Sequence, residues 1–532
     1  MERLRARVTP TVAIALLLAI AVVRMASTYR VFSATADEAT HVGAGLELLQ
    51  FHVYQLQPEN PPLARIVFAA LPFLAGMRYE PHASTFGGQL HSVFYGSGDY
   101  IRNVALARTG NLVFFLIAAL AVAAWARREL GAWEAVLAVL FFTMQPVILG
   151  YSSLATHDAA ATAGTAVALA AMSRWLARRD ARTAVLLGVA YGFAIVCKFS
   201  CVAYVPLACG AIYIVRLLRD ETVRRGMLRD VARIVAVVPL VAFVVTWAAY
   251  AFTVGKFGDI LPWREVFTPA IAHLVDRVDP SLPLPAPHFF TGLLGIIHID
   301  RAGFLSYAFG DISMRGWWWY FPVAVLLKTT LPLLLLIIGG VFFVRGEHRW
   351  RTAEALLAAL AILALATRST LDIGVRYVLP MYAPLVFAAA AIASSLLRNR
   401  QRVVRHAAVA LLVCDVAVSA VAHPDYFPFF NSLAGRDPAH YLVDSNIDWG
   451  QDVLRLRSAA RELQITHLAT SLMGPADLAA LHFPPTSDAD PHNVQPGWLA
   501  VSEQSYRLMG WTGLADRPYR RIGRSIRLYY IR

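Results

Sequence analysis

The chain has 532 residues, 58% of them hydrophobic and only 16% charged, which is more apolar surface than one water-soluble core of ordinary size can hide. This excludes an ordinary soluble globular protein and predicts a polytopic α-helical membrane protein. The formal charge of +13 does not imply a nucleic-acid partner, because the arginines cluster in short loops between apolar runs, where they read as topology signals.

The opening "MERLRARVTPTVAIALLLAIAVVRMAS" has the charged and apolar regions of a signal peptide without a clear small-residue cleavage site, and is expected to be a retained anchor with its N-terminus in the cytoplasm. Further apolar runs follow at 104–125, 132–150, 157–177, 183–199, 201–219, 231–252, 319–344, 353–368, 376–397 and 406–422. With the run at 10–28 they predict about eleven transmembrane helices. Basic loops such as "WARREL", "SRWLARRDAR" and "RNRQRVVR" alternate with loops poor in positive charge, so three longer segments are expected together on the outer face: 29–103, 253–318 and the tail from 423.

The first of these segments holds "EATHVGAGLELLQF" and "PPLARIVFAALPFLAG", amphipathic pieces too short to span and expected along the membrane interface. The tail changes to an ordinary polar and apolar mixture. "DWGQDVLRLRSAARELQ" has helical spacing, while "ITHLATSLM", "GWLAVSEQ" and "SIRLYYIR" read as strands. The expected organisation is a transmembrane domain over 1–422 and a small soluble α/β domain over 423–532, on the outer side of a cell (inner) membrane. Cys197, Cys201, Cys209 and Cys414 all lie in or beside apolar runs, so no disulfide framework is implied.

Carboxylates near a bilayer are costly and tend to persist where they line a wet cavity or do chemistry. Asp37 and Glu38 stand side by side where the chain leaves the first apolar run. Capping of the helix that begins near Ala39 is the alternative, and both can hold together. Asp158 follows His157 at the outer start of the 157–177 run, on the expected face of Asp37; it too could be a helix cap. Outward cations suggest a phosphate: Lys198 in "CKFS", Arg301 and Arg315 in the middle segment, and Arg376 in "GVRYVLP". Each alone also fits a snorkelling interfacial anchor. The run Trp317-Trp318-Trp319-Tyr320 is most simply an interfacial aromatic belt, with a sugar-stacking platform as the alternative. Lys328 lies deeper and suits a structural partner for a helix break. No glycine-rich nucleotide loop and no metal-ligand spacing is present.

The stretches "ADEATHVGAGLELL" and "QPENPPLARIVFAALP" resemble the first outer loop of membrane glycosyltransferases of the GT-C fold, particularly the protein O-mannosyltransferase and lipid A aminoarabinose transferase group. "THDAAATA", "CKFS", "GWWWYFPVAVLLKTTLPLLLL" and "GVRYVLPMYAPL" follow in the expected order, and "HPDYFPFFNSLAG…YLVDSNIDWGQDVLRL" resembles the C-terminal region of bacterial members. Asn60 stands where the family's turn often carries His. The resemblance implies an inverting transferase that moves a sugar from a polyprenyl-phosphate carrier to an acceptor hydroxyl or phosphate on the outer face. The acceptor would be a protein, a lipid or a glycan. It makes Asp37 the candidate general base, Glu38 a group that orients the site or binds sugar hydroxyls, and Asp158 a holder of substrate hydroxyls. Lys198, Arg301, Arg315 and Arg376 would hold the donor phosphate, with His157, Asn60 and Trp318 against the substrate. No cofactor is required, although Asp37, Glu38, His157 and Asp158 leave a divalent metal open. A secondary transporter or lipid flippase, or a scaffold that binds lipid-linked sugar without turning it over, is the competing reading.

Overall fold

The computed structural model describes residues 9–81 and 86–532. The basic stretch expected to fix the N-terminus inside lies before Thr9 and so outside the described residues. Every apolar run is helical. By length and apolarity five of these helices can cross a membrane, or up to seven when each of two bent pairs counts as one span. The expected count of eleven is therefore not reached on this criterion. Pro10–Ala26 and Ala181–Cys197 stop at 17 residues each. His157–Arg178 begins on Asp158 and ends on Arg174 and Arg178, and Gly346–Ala366 opens on Glu347, His348, Arg349 and Arg351.

The bent pairs are Ala132–Met144 with Pro146–Ser152, at 67°, and Tyr320–Lys328 with Leu331–Phe343, at 108°. A proline follows each break, at Pro146 and Pro332, and removes a backbone donor there. The two breaks are tied to one another: Thr330 N donates to Gln145 Oε1 at 3.3 Å, and Gln145 Nε2 donates to Thr330 Oγ1 at 3.2 Å. Backbone without water must find such partners. His157–Arg178 and Tyr382–Leu397 are buried along most of their length. Glu221–Ala249 and Arg402–Val421 bury only a few residues and turn Leu240, Val244, Val409 and Val413 outward, as helices facing lipid do.

The two amphipathic pieces form the helices Glu38–Phe51 and Pro62–Leu74. They are packed together: a Cβ on Gly45 would come within 2.1 Å of the Arg65 carbonyl oxygen, so only glycine permits this approach. Residues Glu38 through Glu47 are all buried, so the first piece is packed among neighbouring helices along most of its length. The middle segment pairs Val254–Lys256 with Pro283–Pro285, forms the helix Pro287–Ala302 and ends in the short hairpin of Ser306–Ala308 and Asp311–Ser313.

The expected tail strands appear as Leu468–Ser471, Gly497–Ser502 and Ile526–Ile531, joined by edge strands Thr486–Asp488 and Arg520–Ile522 in one five-stranded sheet. The first three in sheet order are parallel and the last two pairings antiparallel. The covering helix is Val453–Glu462 and starts later than "DWGQD". Gly450 takes φ +89°, a left-handed turn, and Asp452 accepts from the amides of Arg524 and Ser525 at 2.9 and 3.0 Å in place of opening a longer helix. Residues 423–452 run back into the helical bundle, where Tyr426, Phe427, Leu442 and Trp449 join its apolar core.

Candidate functional site

A cavity of about 250 Å³ opens where the helix Glu38–Phe51, the start of His157–Arg178, the Lys198–Ser200 turn, the end of Pro287–Ala302 and the Leu371–Tyr377 segment converge. It is lined by Asp37, His41, Gln57, Glu59, Asn60, His157, Asp158, Lys198, Arg376 and Tyr377, with Ile296, Ile299, Phe304 and Leu371 forming an apolar side. A polar pole facing an apolar wall suits a ligand with a charged head and a hydrocarbon body.

Asp37 stands at the N-cap of its helix, but its side chain makes no capping bond. Its Oδ2 instead pairs with Arg376 Nη1 at 2.9 Å, and 37% of the side chain remains exposed against 9% for Arg376. Asp158 is buried and pairs with Lys198 Nζ at 2.6 Å. Lys198 lies 4.7 Å from the centre of the Tyr377 ring, and the Arg376 guanidinium 4.2 Å from the Trp449 ring, distances at which an aromatic face attracts a cation. His41 and His157 meet edge to face at 4.3 Å. Burial pushes the His41 imidazole well below its usual range, and His157, Arg65, Arg376 and Lys198 push it further the same way. This favours the neutral imidazole, in which one ring nitrogen donates and the other accepts a hydrogen bond.

Glu38, next to Asp37 in sequence, has a different place. It is fully buried and takes Arg108 Nε on Oε1 at 2.9 Å and Nη2 on Oε2 at 2.8 Å. The amides of Thr35 and Ala155 donate to it at 2.8 Å each. Burial pushes its carboxyl up, but Arg108 and these two amides more than reverse that, and it sits below the ordinary glutamate value. With its oxygens occupied, Glu38 is not among the residues that line the cavity; it ties the Thr35 turn to the segment before Asp158.

The cavity thus gathers Asp37, Asp158, Lys198, Arg376, His157 and Asn60. It does not gather Arg301, whose Nη1 donates to the Val266 carbonyl at 2.5 Å, or Arg315, which is exposed. Trp318 is 74% exposed and away from the cavity. None of these three lines the cavity, so their expected place at a phosphate or sugar is not at this site. Among the described residues no three His, Cys, Asp or Glu side chains gather as metal ligands do. His41, Gln57, Glu59 and Tyr377 are additions from the structure. His41 was signalled by its spacing, four residues beyond Asp37 and so on the same helical face. Arg65, whose guanidinium donates to the Leu56 and Gln57 carbonyls at 3.0 and 2.7 Å, holds the Gln57 turn in place.

Residues 102–249 match the family described as dolichyl-phosphate-mannose-protein mannosyltransferase. No curated protein matches the sequence. Among solved structures, ArnT from Cupriavidus metallidurans bound to undecaprenyl phosphate superposes with a TM-score of 0.50 at 16% identity, over 97% of each chain. The archaeal oligosaccharyltransferase AglB from Archaeoglobus fulgidus, in complex with an inhibitory peptide and a dolichol-phosphate, gives 0.46 at 14% identity over 92% of this chain and 69% of its own. The chain has the fold of the GT-C membrane glycosyltransferases, and over residues 102–249 it is similar to the protein mannosyltransferases among them.

Proposed function

We propose that the protein is an inverting glycosyltransferase that takes a sugar from a polyprenyl-phosphate carrier and passes it to an acceptor hydroxyl or phosphate at the outer face of a cell membrane. In this reading the N-terminus is cytoplasmic, the cavity opens on the outer side, and residues 423–532 form an outer domain beside it. The observation that carries the proposal is the pairing of one accessible carboxylate, Asp37, with the cations Arg376 and Lys198 around a single cavity that has an apolar wall. The ligand named for the superposable ArnT structure, undecaprenyl phosphate, has that same division into anionic head and apolar body.

Asp37 removes the proton from the acceptor hydroxyl as its oxygen attacks the anomeric carbon. The bond from that carbon to the phosphate oxygen breaks, and the electron pair leaves with the phosphate. Arg376 and Lys198 stabilise the charge on the departing phosphate, so no acid is needed to protonate it. Displacement from the opposite face inverts the anomeric centre. Asp158, paired with Lys198, and the neutral His41 hold hydroxyl groups of the sugar or acceptor. Glu38 and Arg108 keep the two halves of the site in register.

The test is transfer of radiolabelled sugar from polyprenyl phosphate in proteoliposomes, wild type beside Asp37→Asn. Transfer by the wild type and its loss in a folded variant are expected. Movement of lipid or ions by a wild-type protein that transfers no sugar from any donor supplied would overturn the reading in favour of a transporter or flippase.

A further inference from the structure

We infer that Trp449 is a positioning residue that holds Asp37 and Arg376 at their working separation, one through its backbone and the other through its ring. This deepens the reading above and rests on it for its catalytic consequence. The segment Trp449–Gln451 runs beside Ser33–Ala36, the residues that lead into Asp37. Ser33 N donates to Gln451 O at 2.9 Å and Ala36 N to Trp449 O at 3.0 Å, while Ser33 Oγ donates to Gly450 O at 2.8 Å and accepts from Val453 N at 3.1 Å. The Trp449 carbonyl is thus bonded to the residue immediately before Asp37.

The indole of the same residue, 2% exposed, lies with its ring centre 4.2 Å from the Arg376 guanidinium carbon. The Phe427 ring lies near-parallel to it at 5.9 Å with 19° between the planes. Arg376 Nε has no hydrogen-bond partner, and its Nη1 goes to Asp37. The aromatic face therefore supplies what a second carboxylate would otherwise do, without neutralising a charge that a phosphate must meet. Gly450 makes the turn possible: at φ +89° a Cβ there would stand 2.8 Å from the Met473 carbonyl oxygen. Neighbouring residues fix the other end, with Val375 N donating to Asn446 Oδ1 at 3.0 Å and Asn446 Nδ2 to Tyr320 Oη at 2.8 Å. A tryptophan that only filled the core would need apolar neighbours alone; this one joins both halves of an ion pair that comes from positions 37 and 376.

The experiment is a double-mutant cycle in the full chain, Trp449→Leu and Trp449→Phe, each alone and with Arg376→Lys, read by melting temperature and by titration with undecaprenyl phosphate in detergent. Trp449→Leu is expected to weaken undecaprenyl phosphate binding and slow sugar transfer, each roughly 10- to 100-fold, the scale of an ångström-level misplacement. Trp449→Phe keeps a ring over Arg376 and should recover most of both. In the Arg376→Lys background the Leu substitution should cost less than it does alone, because an ammonium lacks the planar guanidinium that stacks on the indole while its fork meets Asp37. Equal losses from Trp449→Leu in both backgrounds, or normal binding in that variant, overturn the inference. If Trp449→Leu does not fold, the Phe variant carries the cycle, and additivity of its melting-temperature shift with that of Arg376→Lys likewise overturns the inference. A wild-type protein that binds undecaprenyl phosphate yet transfers no sugar would sink the enzyme reading while leaving the clamp intact. If it binds none, the melting-temperature cycle alone decides the clamp.

Discussion

Two sets of ion pairs sit at opposite ends of the helix Cys201–Arg219, and they are built on different plans. At its start, Lys198 pairs with Asp158 and Arg376 pairs with Asp37, one cation to one carboxylate, around a cavity. Near its end, roughly 25 Å away at 1.5 Å per residue, Arg216 and Arg351 each engage both Glu129 and Glu354, with Arg351 Nη2 2.9 Å from Glu129 Oε2 and Arg216 Nη2 3.2 Å from it. That square closes on itself and joins three helices. Charges that saturate one another brace a structure; charges matched singly beside a hollow remain able to exchange partners with a ligand. Asp37 and Glu38 repeat the contrast within two residues, since Glu38 is sealed by Arg108 and two amides while Asp37 keeps a face on the cavity.

The sharpest way to break this contrast is to neutralise the open carboxylate. Asp37→Asn keeps the shape of the side chain and is expected to lower sugar transfer by about 10²- to 10⁴-fold, the usual contribution of a general base, with a fall in melting temperature smaller than that of the sealed pair, because Arg376 loses its carboxylate but keeps the Trp449 ring. Transfer within a few-fold of wild type would mean that the accessible member of the pair is not the base. The sealed pair should answer in the opposite way. Arg108→Met leaves Glu38 buried without its cation, and such a loss costs about 3–5 kcal/mol. A large fall in thermal stability, at any donor concentration, is the expected result; a stable protein with a selective defect in transfer would move Glu38 back among the substrate-contacting groups.

The sequence already marks much of the open site. Asp158, Lys198 and Arg376 are conspicuous because each interrupts or ends an apolar run, where a charge needs a reason. The sealed pair is much less legible. Arg108 stands inside "ALARTGN" near the start of a span and looks like an anchor, and nothing local says that it reaches Glu38. Nothing local in the pair at 37 and 38 shows that one precedes the helix and the other lies in its first turn, so that their side chains diverge. Arg301, Arg315 and Trp318 fall outside this cavity for a related reason: belonging to the same outer segment does not fix which way it folds. The insertion of 423–452 into the bundle is tertiary, and "DWGQD" shows only a turn-compatible glycine and helix-compatible neighbours.

A third kind of carboxylate sharpens the comparison further. Asp448 is buried and pairs with no cation among the described residues; it accepts from the Gln504 amide at 2.8 Å. Burial pushes its carboxyl up to about 7, the amide bonds of Gln504 and Gly450 opposing this only in part. Between the ordinary aspartate value and about pH 7 the folded protein therefore keeps a proton that the unfolded chain has lost. Stability falls as pH rises through that window, by at most about 1.4 kcal/mol per pH unit. Glu38, held below its ordinary value, contributes the reverse: its stabilisation is lost as pH falls through the acidic range. Asp448→Asn removes the first titration alone. Its melting temperature should gain on the wild type between pH 5 and pH 7.5, and an equal difference at both values would show that Asp448 stays charged.

The smallest effect is expected at the closed square. Arg216→Met removes one corner, yet Glu129 and Glu354 both keep Arg351, at 2.9 and 3.4 Å. The methionine preserves the aliphatic stem packed between helices. The loss should therefore fall to about 1 kcal/mol, well short of the cost of an orphaned buried charge. Sugar transfer should be unchanged, because none of the four side chains lines the cavity of Asp37 and the square lies a helix length from Lys198. Measuring melting temperature and transfer on the same preparation separates the two ends of the helix. If Arg216→Met reduced transfer as strongly as a change at the cavity, the two ends would be coupled along Cys201–Arg219, and saturation of charge would no longer suffice to tell a brace from a site.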